Sequence, residues 1–153
     1  MTLFLLLALV QQPSHRHDAE VDRRGDAVMG FAHETTTHHF RLRADGGEIE
    51  IVATDSGDVD AATRIRGHLA HIVQMFGDGD FTAPFLIHAK HPPGTDVMTR
   101  LRSEIVYRLE PLPSGARVRI ATANAADLEA IHAFLRFQIT DHRTGDPLTI
   151  QKE

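Results

Sequence analysis

Two stretches of the chain alternate apolar and charged residues, turn, alternate again and then change to helical spacing; this repeated order restricts the fold more than any other feature. In the first stretch Phe40 and Leu42 fall on one side of a strand, with His39, Arg41 and Arg43 on the other. Asp45-Gly46-Gly47 is a hairpin turn signal, and the return strand sets Ile49, Ile51 and Ala53 opposite Glu48 and Glu50. Apolar positions then recur at Ile65, Leu69, Ile72, Val73 and Phe76, in a helix closed by Gly77 and Gly79. In the second stretch Ile105, Tyr107 and Leu109 alternate with Arg108 and Glu110, and the turn runs from Pro111 to Gly115. Val118 and Ile120 then alternate with Arg117 and Arg119. Asn124 is an N-cap signal with Asp127 placed to meet the helix dipole, and Leu128, Ile131, Phe134, Leu135 and Ile139 form the apolar stripe. Gly145 and Pro147 stop this helix.

The order is therefore ββα, a connector, then ββα, and Phe40-Arg41-Leu42 finds an echo in Tyr107-Arg108-Leu109. Each hairpin has one apolar face and one face of Arg and Glu. The expected architecture is an α+β fold in which the two units form one four-stranded antiparallel sheet. Both helices cover its apolar face and the charged face meets water. The connector, residues 80–103, holds the apolar run Phe85-Leu86-Ile87, then Pro92-Pro93-Gly94 and a short helix from Asp96.

Ahead of this domain, assigned to residues 28–150, lie two different segments. Met1 to Val10 are nearly all apolar, too few to span a bilayer as a helix but suited to the apolar part of a secretory signal cleaved after Val10. A periplasmic or secreted protein with no stable membrane span is expected. Residues 11–27 are polar and aperiodic and read as a flexible arm.

Composition narrows the chemistry. A formal charge of -5 argues against nucleic acid as a partner. With no cysteine, disulfides, thiolate zinc sites and thiol nucleophiles are excluded. Ser14, Ser56, Ser103 and Ser114 lie in no nucleophile elbow, and no glycine-rich phosphate loop is present. His33-Glu34-Thr35-Thr36-Thr37-His38 has one residue more than the zinc-protease motif and runs through β-branched threonines, where a helix is disfavoured.

Against this background 11 histidines are an excess that calls for a role. His38 shares the inward side of its strand with Phe40 and Leu42, while His39 should face out. His68, His71 and Met75 stand three and then four residues apart along the first helix, beside its apolar face. His132 lies near the apolar stripe of the second helix, and Met29 and His33 precede the first strand. Imidazole with thioether suits copper, imidazole with carboxylate suits zinc, and haem is a third group that histidine holds. The candidate ligands are His38, His68, His71 and His132, with Met29 and Met75 as soft donors. His88 and His91 lie in the connector, His15 and His17 in the arm, and His142 in a last helical turn where the dipole favours it.

The stretches Met29-Gly30-Phe31, Thr36-Thr37-His38-His39-Phe40 and Ile131-His132-Ala133-Phe134-Leu135-Arg136-Phe137-Gln138-Ile139 resemble those of a family of uncharacterised, mostly exported bacterial proteins. The likeness runs from about Arg24 to Pro147 and implies export and a single domain. Members of that family often carry the label aspartate carbamoyltransferase, an enzyme with a longer chain and a Ser-Thr-Arg-Thr phosphate-binding turn; this sequence contains no such turn. The expected function is an exported binding protein with a histidine-lined site for a transition metal or metal-containing cofactor. A protein-interaction or small-ligand module on the arginine-studded sheet face is the second reading, and an enzyme without a familiar motif the third.

Overall fold

The computed structural model describes residues 13–152, so the expected signal segment Met1–Val10 lies outside the described residues. The chain runs α1 (Pro13–Met29), β1 (Thr36–Arg43), β2 (Gly46–Ala53), α2 (Val59–Gly77), α3 (Thr82–His88), α4 (Thr95–Arg100), β3 (Ile105–Leu112), β4 (Gly115–Thr122) and α5 (Ala125–Asp141). Single 3-10 turns at His33–Thr35 and Arg102–Glu104 lead into β1 and β3. The fold is α+β, with one antiparallel sheet in the order β1-β2-β4-β3.

The two ββα units meet along β2 and β4, the return strands of their hairpins. Their register pairs Gly46 with Ala121 at one end of the seam and Val52 with Gly115 at the other. Each inner strand thus begins with a glycine set against the end of its partner. A Cβ on Gly46, whose φ is +152°, would stand 2.0 Å from the Ile120 carbonyl oxygen, and one on Gly115 would stand 2.1 Å from that of Ile51. Only glycine allows backbones this close.

Helices α2 and α5 lie on the apolar face, as the alternation predicts. Asp58 caps α2 by accepting from the Ala61 N–H at 2.8 Å, and Asn124 caps α5 by accepting from Ala126 and Asp127. From these helices Ile65, Leu69, Ile72, Phe76, Ile131, Phe134 and Leu135 enter one core with Leu42, Ile49, Val118 and Ile120. Burying each of these larger side chains contributes about 1.5–3 kcal/mol. Phe76, Phe81 and Phe134 meet as an aromatic cluster, with Phe76 and Phe81 stacked at 4.5 Å.

The segment read as a flexible arm is instead helix α1, and the folded unit reaches back well before residue 28. Val21 is fully buried, and α1 packs along α3. The Arg24 guanidinium donates to the Ile87 carbonyl at 2.7 Å, while Arg143 beyond α5 pairs with Asp18 and Asp22.

The charged sheet face also differs from the plain solvated surface expected. Glu48 is only 4% exposed and receives two hydrogen bonds from Arg43, both at 3.0 Å. Arg41 and Arg117 converge on Glu50, and Arg119 pairs with Asp45. These arginines are engaged with neighbours on their own sheet, which weakens the reading of this face as a capture surface. The outer edge of β1 is covered by the C-terminal segment: Asp146 accepts from the Phe40 N–H at 3.0 Å and Gln151 donates to the Leu42 carbonyl at 2.8 Å. Among the described residues no helix is long and apolar enough to cross a membrane.

Candidate functional site

Where β1, α2 and the end of α5 converge, the core leaves a cavity of about 60 Å³. Its polar lining is Met29 from the end of α1, His38 from β1, His68 from α2, and Gln138 and His142 from the end of α5; Phe40, Ile51, Leu69, Ile72, Phe76 and Phe134 supply apolar walls. No carboxylate lines it. His38 points inward because it shares the strand face of Phe40. His68 lies one residue before the buried Leu69 and rests edge-on against Phe31, ring centroids 5.6 Å apart. His142 is the C-cap residue of α5, and its ring stacks on Phe40 at 5.6 Å and meets His38 edge to face at 5.9 Å.

Burial sets the charge of these rings. Desolvation, reinforced by His68, lowers the His38 pKa from 6.5 to about 4, and desolvation with the neighbouring His71 takes His68 to about 4. His142 falls to about 3 through burial and the nearby His88 and His38. All three are neutral imidazoles at neutral pH, the form that binds metals.

Behind His142 stands a second arrangement. The His88 side chain is fully buried, its ring 4.9 Å from that of His142. Its Nδ1 is 2.5 Å from Asp141 Oδ2 and its Nε2 is 3.0 Å from Gln138 Oε1. Burial presses the His88 pKa down, and the hydrogen bonds to Asp141 and Gln138 work against it. Burial prevails, and the two hydrogen bonds hold the ring between Asp141 and Gln138. Burial raises Asp141, but hydrogen bonds from His17 and His88 and the charges of His88 and Lys90 outweigh it and hold the carboxyl at about 2.

The structure separates the six candidate ligands. Met29, His38 and His68 line the cavity together; His71, His132 and Met75 do not. His71 is exposed on the next turn of α2, and Met75 packs against the core. His132 is buried at the other end of β1, where its Nε2 lies 2.8 Å from the Arg43 carbonyl and 3.0 Å from that of Gly46. It ties α5 to the first hairpin, which is a structural task. His142 reverses the expectation for a last-turn histidine: held neutral, it brings no positive charge to the helix dipole. Together with Gln138, it is the cavity residue the sequence reading missed. The signal was there, because Phe134, Gln138 and His142 recur at four-residue intervals along one face of α5.

Among the described residues no three His, Asp or Glu side chains are already gathered as a metal centre. Two wider depressions, about 770 and 800 Å³, are open to the surface. The first carries His91 tilted against Phe85, the second Arg16, His17, Arg24, His88 and Lys90; neither concentrates neutral donors as the small cavity does. No protein-family model, no curated protein and no solved structure matches the chain.

Proposed function

We propose that this is a small exported copper-binding protein whose site is the cavity between β1, α2 and the end of α5. The observation that carries the reading is convergence: Met29, His38, His68 and His142, from four separate elements of the chain, line one cavity of about 60 Å³. Copper(I) accepts thioether and imidazole together and is satisfied by few ligands, so it does not require three prearranged histidines. Two imidazoles on one ion, with metal–nitrogen bonds of about 2 Å, hold their ring centroids about 5–6 Å apart. The His38–His142 separation of 5.9 Å falls in that range. A porphyrin is far larger than the space available.

Anaerobic titration of copper(I) in competition with a chromophoric chelator tests this. One tightly held copper per chain is expected, with affinity falling about tenfold or more in His38→Ala and in His142→Ala. His71→Ala, outside the cavity, should bind as the unaltered protein does. Copper uptake that is absent, or the same in all four proteins, overturns the proposal.

A further inference from the structure

The sheet has two outer edges, and they are treated differently. The C-terminal segment covers β1, while β3 pairs with β4 on one side and meets no strand on the other among the described residues. Ala53 donates to the Ser114 carbonyl and Thr122 to that of Asp45, so even-numbered residues of β4 bond toward β2 and odd-numbered ones toward β3. Through the β3–β4 register, Val106, Arg108, Glu110 and Leu112 therefore spend their main-chain groups on β4. The N–H and C=O of Tyr107 and Leu109, with the C=O of Pro111, point outward, a template for another strand. Two side chains on this edge also stand alone. Val106 is 56% exposed. Arg108 is exposed, lies opposite the like-charged Arg119, and makes no ion pair among the described residues.

We infer that β3 is a self-association edge: two copies of the chain pair their β3 strands antiparallel about a two-fold axis at Leu109, joining two sheets into one. Charge selects that register. With Leu109 opposite Leu109, each Arg108 faces Glu110 of the second copy, and each Val106 is covered by Leu112 of the second copy. The neighbouring registers that keep the outward main-chain groups in line set Arg108 against Arg108 or Glu110 against Glu110, and both repel. In the favoured register Leu109 exchanges both main-chain hydrogen bonds with its counterpart, and each Tyr107 N–H reaches a Pro111 carbonyl. Pro111, with no N–H to give, limits the ladder to this short stretch, so the dimer is a reversible one. The cavity lies on the β1 side of the sheet, and the inference stands apart from the copper reading.

Sedimentation velocity over a range of protein concentrations tests this, with amide hydrogen exchange beside it. The unaltered chain should pass from monomer to dimer as concentration rises, and the Tyr107 and Leu109 amides should exchange more slowly in the dimer. Arg108→Glu and Glu110→Arg, each alone, set like charges across the axis and should weaken the dimer about tenfold or more. Mixed together, the two variants bring opposite charges back to both contacts and should form a heterodimer about as tight as the unaltered pair. A chain that stays monomeric at every concentration overturns the inference. So does a dimer that neither variant weakens, or a mixture of folded variants that does not associate. If Glu110→Arg does not fold, Arg108→Glu and the Leu109 amide decide: an unweakened dimer, or exchange that dimerisation does not slow, overturns the inference.

Discussion

His38 and His142 meet edge to face across the cavity with ring centroids 5.9 Å apart, although one stands on the first strand and the other caps the last helix. Their approach depends on α5 lying across β1, and α5 is held there partly by His132 at the far end of the same strand. One histidine of α5 is thus a fastener and another a candidate ligand, a division that helical spacing alone does not reveal.

The fastener can be weighed directly. His132→Leu leaves the Arg43 and Gly46 carbonyls without the imidazole donor in a buried setting, which should cost about 1–3 kcal/mol. A lower urea midpoint with copper affinity preserved is the expected result. Unchanged stability would mean that the two carbonyls need no donor.

Acid should destabilise the metal-free protein over a defined window. In the folded chain His38 and His68 titrate near 4 and His142 near 3, against 6.5 for an unperturbed histidine. Below about pH 6.5 the unfolded chain binds protons that the folded chain does not, so stability falls as pH falls. The loss continues until the folded-state values are reached, each histidine contributing up to about 1.4 kcal/mol per pH unit. Denaturant melts between pH 7 and pH 4.5 measure the slope, and His142→Phe should make it shallower. A slope that does not change in that variant places the acid sensitivity elsewhere.

The seam between the two ββα units should be intolerant of a single methyl group. Gly115→Ala sets a Cβ 2.1 Å from the Ile51 carbonyl oxygen and 2.9 Å from Val52 Cα, both backbone atoms that cannot turn aside. A loss of about 3 kcal/mol or more is expected from thermal or urea unfolding. Near-neutral behaviour would show that the strands can part without cost.

Helix α1 should detach separately from the sheet. Val21→Asp places a charge at a fully buried position against α3 and should expose α1 to limited proteolysis, while the fragment holding the sheet stays resistant. Cleavage spread evenly over the chain would mean that α1 and the sheet unfold together.

The sheet and its two covering helices were legible because period-two and helical patterns change cleanly at the hairpins and caps. Helix α1 was not. Its composition is polar, and it is held by one buried valine, the reach of Arg24 to a carbonyl and the pairing of Arg143 with Asp18 and Asp22. The only trace is Val21, Gly25, Val28 and Met29 at helical spacing, too sparse beside the surrounding charges. Three of the four residues proposed for the site were legible: strand parity turned His38 inward, His68 flanked the apolar face of its helix, and Met29 stood just before the first strand. His142 was hidden because a histidine at a helix end has a sufficient local explanation, and Glu48 because its burial depends on Arg43 across the hairpin.

The most direct test of the copper site is a long-range 15N–1H NMR spectrum of the histidine rings before and after one equivalent of copper(I), an ion that leaves the resonances sharp. Large shifts are expected for the ring nitrogens of His38, His68 and His142, with His71, His91 and His132 unmoved. Shifts confined to His71, His91 or other exposed histidines, with the three cavity rings unchanged, would contradict it.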